Sequence, residues 1–416
     1  MVKRGVFTPR FFFQRDPGFK KNGWGRDPVN RRTNHSRDPQ KQTRFMKKNI
    51  AVIEGDGIGP EVTRQSVRVL NSIAEAYGHE FTYTYCIMGA DAIERTGNPL
   101  PDETIAICLN SDGILFGAIG DPRYDNDPAA KVRPEQGLLK LRKSLQLYAN
   151  IRPVNTYPSL QHLSPLKAKI IEGVDFIIFR ELTGGIYFGE KTKSEDGNMA
   201  ADNCVYSRSE IERIAHLAFQ YAQKRRKKLT LVDKANVLET SRLWRKVVQE
   251  LSPLYHEVKV DYMFVDNAAM QIIINPRQFD VVLTENMFGD ILSDEASVIS
   301  GSIGLLPSAS IGAGSALFEP IHGSYPQAAG KDIANPLGSI LSAALLLDHF
   351  NLKEEGSLVR EAVNWTLQNS FVTKDIDPVN FYFTSTIGEL ISDYVSGKVP
   401  GSVKMENIEL RKSTII

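Results

Sequence analysis

Asp290 and Asp294 stand four residues apart in Asn286-Met-Phe-Gly-Asp-Ile-Leu-Ser-Asp-Glu295. In a helix that spacing puts both carboxylates on one face, one turn apart. Like charges so placed repel unless a cation lies between them. Mg²⁺ and Mn²⁺ take oxygen ligands, commonly one or two carboxylates with substrate and water; the bland alternative is a solvated acidic face. Lys234 follows an apolar stretch directly, where partial desolvation lowers a lysine's pKa and makes it a base. Asp266, in Val265-Asp-Asn-Ala-Ala-Met270, ends another such stretch and is a candidate third carboxylate. Arg142, Arg152 and Arg180 each follow an apolar element. Three guanidinium forks converging on one cleft would grip a dicarboxylate, each carboxylate held bidentately. Tyr187, behind Gly184-Gly185, is a candidate proton donor.

The elements that must position these groups alternate. Ile50–Ile53, Phe81–Cys86, Gly113–Ile119, Phe176–Arg180, Leu229–Val232, Glu257–Val265 and Val281–Leu283 read as strands. Glu61–Tyr77, Leu138–Leu147, Ser209–Lys228 and Trp244–Leu251 carry helical periodicity, and Glu190–Cys204 is polar and turn-rich. Strands alternating with helices predict an α/β fold with much parallel sheet, whose ligands bind at strand carboxyl ends. The basic run Lys224–Lys228 reads as a favourable charge cluster at a helix C-terminus. Gly55-Asp-Gly-Ile-Gly59 lacks the third glycine and the later acidic residue of a dinucleotide fingerprint, so it reads as a glycine turn. Phe318–Pro336 is irregular and glycine-rich: a segment to wrap a nucleotide, with His322 on a base, or an Ω-like surface loop.

With 416 residues, 42% hydrophobic and 24% charged, the chain has room for two sizeable cores. No apolar run reaches the roughly 18 residues of a membrane span. Cys86, Cys108 and Cys204 show no C-x-x-C spacing, which argues against a zinc site or disulfide framework and fits a reducing cytoplasm. Net charge hides an asymmetry: residues 1–45 hold twelve Lys/Arg against three Asp, a net of +9, whereas the remainder carries −8. This leader repeats Arg-Asp-Pro every eleven residues and shows no hydrophobic period, so disorder is expected. A transit peptide and a nucleic-acid-binding arm compete with a functionless extension. The last is preferred, because Met46-Lys-Lys-Asn resembles a natural start followed at once by a strand.

From Met46 onward, EGDGIGPE, GLLKLRK, NIRP, RELTGGIYFGE, DKANVL and NMFGDILSDE occur in order, with HGS-P--AGKDIANP behind them. In these motifs the chain resembles the β-decarboxylating dehydrogenases, and within them the isopropylmalate branch. The resemblance implies a two-domain open α/β sheet of the isocitrate/isopropylmalate dehydrogenase type, distinct from a Rossmann fold. Residues 46–148 with 301–416 would form the cofactor-side domain. Residues 149–300 would form the substrate, metal and dimerisation domain, with an arm around 188–206. It implies a homodimer with shared active sites, no nucleic acid and no membrane.

For this site the resemblance implies that Arg142, Arg152 and Arg180 hold the malate carboxylates. Asp290 and Asp294, with Asp266 from the second subunit, would hold Mg²⁺ or Mn²⁺ beside the substrate. Lys234, also from the second subunit, would be the base and Tyr187 the acid. Glu135, Asn236, His322, Gly323, Ser324, Gln327 and Asn335 would contact NAD, and a monovalent cation could act as activator. The implied reaction oxidises 3-isopropylmalate at C2 and releases CO₂, giving 4-methyl-2-oxopentanoate for leucine biosynthesis. Leu138-Leu139 before Arg142 suits an isopropyl group, where isocitrate-type relatives carry a serine; an extra carboxylate there would be desolvated and unpaired. Gln327 departs from the aspartate usual in NAD-dependent members, so discrimination against a 2′-phosphate is open. The rival readings are a tartrate or D-malate dehydrogenase of the same family and a nucleic-acid-binding protein acting through its leader.

Overall fold

The computed structural model describes residues 45–125 and 132–398. The leader, apart from Phe45, and its competing readings lie outside the described residues.

Twelve strands are formed among the described residues: β1 Lys47–Gly55, β2 Glu80–Cys86, β3 Gly113–Ala118, β4 Leu147–Asn155, β5 Asp175–Glu181, β6 Lys191–Lys193, β7 Ala200–Asp202, β8 Lys228–Asp233, β9 Lys259–Phe264, β10 Val281–Thr284, β11 Pro307–Gly312 and β12 Ala316–Pro320. Ten of them make one sheet in the order β2-β1-β3-β12-β11-β4-β5-β10-β8-β9. Two wings are parallel, β2-β1-β3-β12 and β5-β10-β8-β9. They meet through antiparallel pairings of β11 with β12, β11 with β4, and β4 with β5. The inner parallel strands include short apolar runs such as Val281-Val-Leu283, buried on both faces because crossover helices cover both sides of a parallel wing, whereas the edge strands β2 and β9 are largely exposed or half-buried.

Sequence periodicity locates four of the thirteen α-helices among the described residues, Gly59–Tyr77, Pro134–Ser144, Arg208–Lys224 and Glu239–Leu251, with bounds shifted by up to five residues. The most apolar one, Leu337–His349, is buried almost all round and packs in the principal core with Val69, Ile73 and Phe318. No helix among the described residues is long and apolar enough to cross a membrane.

Three local expectations change. Of the run Lys224–Lys228, only Lys224 lies in the helix's last turn. Arg225 Nε donates to Asp280 at 2.8 Å and its Nη2 to Asp175 at 2.8 Å, while the Arg226 amide donates to Asp280 at 2.9 Å. These bonds lash the start of β8 to the starts of β5 and β10. The polar stretch Glu190–Cys204 contains the β6–β7 antiparallel hairpin, which stands as a sheet of its own with exposed strands. Asp266 does not end a strand: β9 stops at Phe264, and Asp266 lies in the first turn of helix Val265–Ile274.

Candidate functional site

The acidic pair is placed by β10 running straight into helix Asn286–Ser297. Glu285 between them is the N-cap, its carboxylate accepting the Phe288 amide at 3.0 Å. Asp290 and Asp294 therefore project from one helix face, as their spacing predicts.

Strand register brings the arginines to this helix. Arg180 pairs with Thr284 of β10 on one side and Asn150 of β4 on the other. Its buried guanidinium donates to Asn286 Oδ1 from Nε at 3.1 Å and from Nη2 at 2.9 Å, and Nη1 pairs with Asp290. Gly289 makes the room, since a Cβ there would stand 2.6 Å from Arg180 Cγ. Arg152, in β4, donates from Nε to Asn150 Oδ1 at 2.8 Å and reaches Asp294 at 3.5 Å. Burial, with Arg180 nearby, pushes its pKa down to about 10, so it stays cationic at neutral pH. Arg142, on helix Pro134–Ser144, meets Glu319 at the end of β12 at 3.0 Å, and its buried Nε has no protein partner. Tyr187 donates its hydroxyl to Asp290 Oδ2 at 2.9 Å. Burial and that bond raise the phenol's pKa, which keeps the proton on it.

Arg142 and Arg152 line a cleft of about 160 Å³ together with Leu138, Glu319 and His322. Leu138 lies one turn before Arg142 on the same helix face and supplies the apolar wall. Leu139 does not share it: that side chain is 47% exposed. A larger groove of about 520 Å³ lies elsewhere, and the alternation of β4 explains why: Ile151 and Pro153 face it while Arg152 faces the cleft.

Lys234 and Asp266 form a second group. Lys234 Nζ lies 3.0 Å from Asp266 Oδ1, a bond that lowers the aspartate's pKa. Among the described residues no three His, Cys, Asp or Glu side chains come together as a metal cluster, so Asp266 does not join Asp290 and Asp294 within one chain. Beside this pair lies an exposed apolar face comprising Met270, Ile273 and Ile274, with Ile291 and Val298 on the next helix. Asn236 stands exposed two residues after Lys234, apart from the other candidate cofactor residues.

Two of those others, Glu135 and Ser324, meet at Gly120. A Cβ on Gly120 would lie 2.9 Å from Glu135 Oε1 and 3.6 Å from Ser324 Oγ, and its φ of +115° admits glycine readily. The neighbouring backbone at Gly323 is open, and the Nε2 of His322 is buried without a partner. An open glycine strip and an orphaned ring nitrogen fit a dinucleotide lying against this loop. Gln327 is exposed on the same loop. Asn335 is buried, and its side chain is engaged within the protein: Oδ1 accepts the Leu337 amide at 3.0 Å and Nδ2 donates to Asp375 at 3.1 Å. The glycine turn packs against this region: Ile58 N donates to the Ser324 carbonyl at 2.8 Å, and a Cβ on Gly57 would stand 2.0 Å from the same oxygen.

Several residues of the site went unread in the sequence. Glu319, Asn286 and Asn150 each orient one arginine. Asp56 accepts the Ala90 amide at 2.8 Å and the Gly120 amide at 2.9 Å, fixing the glycine beside Glu135. For Glu319 and Asp56 the legible signal was an acidic residue at the end of a buried apolar strand; Asn150, inside β4, and Asn286, in the helix, carried none.

Residues 49–391 match the family described as isocitrate/isopropylmalate dehydrogenase. The chain belongs to that family. It is 56% identical over 352 residues to the 3-isopropylmalate dehydrogenase of Bacteroides fragilis (strain YCH46), covering 84% of this chain and 99% of that protein. To the 3-isopropylmalate dehydrogenase of Bacillus subtilis (strain 168) it is 53% identical over 337 residues, covering 80% and 92%. Among solved structures, isocitrate dehydrogenase from Methylococcus capsulatus superposes with a TM-score of 0.75 at 33% identity, covering 84% of this chain and 99% of that one. Dehydrogenases of this family work with NAD and a divalent metal on small-molecule substrates.

Proposed function

We propose that this dehydrogenase oxidises 3-isopropylmalate with NAD⁺ and releases CO₂, yielding 4-methyl-2-oxopentanoate. The observation that carries this reading is the cleft in which Arg142 and Arg152 stand beside Leu138, with Arg180 held to the Asp290 helix. It offers two carboxylate clamps and an apolar wall, and among the described residues its lining holds no lysine and no arginine besides Arg142 and Arg152.

Arg142, Arg152 and Arg180 bind and orient the two carboxylates. Lys234 takes the proton of the C2 hydroxyl, and Tyr187 returns a proton to C3 after the carboxylate is lost. Asp290 and Asp294 fit a hard cation as part of its donor set, with Asp266 completing it, and Mg²⁺ or Mn²⁺ suits such oxygens. When bound, the cation would supply Lewis acidity for the enolate charge, and NAD would supply a hydride acceptor for C2. Glu135, Asn236, His322, Gly323, Ser324, Gln327 and Asn335 are proposed to hold the cofactor, Asn335 through its backbone.

We propose further that the enzyme is a homodimer in which Lys234 and Asp266 complete the site of the second subunit. The separation of that pair from the arginine cluster supports this, as does the exposed apolar face beside it. A cofactor-side domain of 46–148 with 301–416, a substrate and dimerisation domain of 149–300, and an arm at the β6–β7 hairpin accord with the same arrangement. Three free cysteines suit the cytoplasm.

The decisive assay is NADH formation from 3-isopropylmalate with Mg²⁺, compared with D-malate, tartrate and isocitrate. Higher kcat/KM for D-malate or tartrate would replace this substrate, and higher kcat/KM with NADP would replace this cofactor.

A further inference from the structure

Asn286 opens the acidic helix and is 1% exposed, too deep to touch a substrate. Both ends of its amide are nevertheless committed to the site. Oδ1 accepts two N–H bonds of Arg180, at 3.1 and 2.9 Å. Nδ2 donates to the Gly184 carbonyl at 3.1 Å. The chemistry fixes which end points where, because a guanidinium can only donate and a carbonyl can only accept.

The Gly184 carbonyl belongs to the turn that delivers Tyr187. That turn has little freedom. Gly185 has a φ of +75°, and a Cβ on it would stand 2.3 Å from the Tyr206 hydroxyl. The same hydroxyl accepts the Asn286 amide at 3.0 Å and donates to Glu285 at 3.2 Å. One buried cluster therefore ties the helix start, the arginine and the tyrosine turn together.

We propose that Asn286 is a positioning residue that sets two groups of the reaction at once: its carbonyl oxygen fixes the Arg180 clamp, and its amide nitrogen fixes the turn bearing Tyr187. Occupying Nε and Nη2 leaves Nη1 of Arg180 for Asp290. The inference rests on the function proposed above, and it makes the two roles separable by chemistry. Aspartate in this place keeps the oxygen for Arg180 but turns a negative oxygen on the Gly184 carbonyl. Alanine provides neither bond.

The test is a pair of variants with substrate and cofactor kinetics, melting temperature and crystal structures. Asn286→Asp should keep the KM for 3-isopropylmalate within threefold while kcat falls at least tenfold. Asn286→Ala should raise that KM at least tenfold and lower kcat as well. Neither should change the KM for NAD. A purely structural residue would lower active concentration without this split, and two folded variants with equal parameters would overturn the proposal. If Asn286→Ala does not fold, Asn286→Asp decides alone, since an unchanged kcat there is equally fatal. Should the wild type fail to oxidise 3-isopropylmalate, the functional reading falls, yet the crystal structure of Asn286→Asp still decides positioning. Arg180 should stay in place while the Gly184–Tyr187 turn moves, and an unmoved turn would refute it.

Discussion

Replacing Tyr187 by phenylalanine separates catalysis from stability. The side chain is 40% exposed, and its hydroxyl makes one hydrogen bond, to Asp290 at 2.9 Å. The contact of its ring with the Arg180 guanidinium, at 5.8 Å, survives in phenylalanine. Asp290 keeps its pairing with Arg180, and its side chain remains 36% exposed, so removing the donor strands no buried charge. The expected loss of stability is therefore about 0.5–1 kcal/mol. At roughly 2–4 °C per kcal/mol for a large domain, the melting temperature falls by a few degrees at most. A positioned acid contributes about 10²–10⁴ in rate, or roughly 3–5 kcal/mol of barrier. Turnover should thus fall by two to four orders of magnitude, ~10²–10⁴, in a protein that is almost as stable. The assay is product formation in D₂O, with the configuration of deuterium at C3 read by NMR. Wild type should place it on one face. The variant should release an enol that picks up deuterium on both faces in solvent. Wild-type turnover with a single configuration in Tyr187→Phe would remove the tyrosine from the proton path.

Four further outcomes follow from named contacts. Lys234→Ala should lose turnover but still bind 3-isopropylmalate by calorimetry; normal turnover would remove Lys234 as the base. Gly289→Ala puts a methyl 2.6 Å from Arg180 Cγ, so the KM for substrate should rise about tenfold, the equivalent of one displaced charged hydrogen bond. Burial depresses the pKa of His322 below its ordinary 6.5. Its stabilising contribution is complete above pH 6.5 and is lost as pH falls through the lower folded value. A plot of melting temperature against pH from 7.5 to 5 should therefore be flatter in His322→Gln than in wild type. Chelation of divalent cations should weaken substrate binding, and added substrate should tighten Mg²⁺ binding by the same factor in titrations of each against the other.

The sequence made legible what repeats or lies close along the chain. Apolar runs announced β1, β3, β5, β8 and β10 but not the central β4, β11 and β12, and the four-residue spacing announced one helix face bearing Asp290 and Asp294. The motifs carried the arginines, the lysine and the tyrosine. Pairings across the sheet were not legible. Nothing near Arg142 points to Glu319, 177 residues later, and only the meeting of helix Pro134–Ser144 with β12 joins them. The basic run after Lys224 misled for the same reason: charge near a helix end is a local argument, and the acids that claim Arg225 come from β5 and the loop before β10. Leu139 misled because two adjacent helical residues point about 100° apart, so only one of a Leu-Leu pair can face a cleft.

Charge balance links these contacts to the order of binding. Arg142 pairs with Glu319, Arg152 with Asp294 and Arg180 with Asp290, so each of these guanidinium groups has one carboxylate partner. A substrate with two carboxylates must draw the arginines from their partners. Asp290 and Asp294 would then be left as adjacent anions one helical turn apart, beside a bound dianion. In a partly desolvated cleft that excess charge is costly. A divalent cation restores neutrality at the two aspartates the arginines release. Substrate and metal therefore favour each other's binding through the same side chains. The ion pairs of the unliganded site keep buried guanidinium groups from standing uncompensated until both arrive.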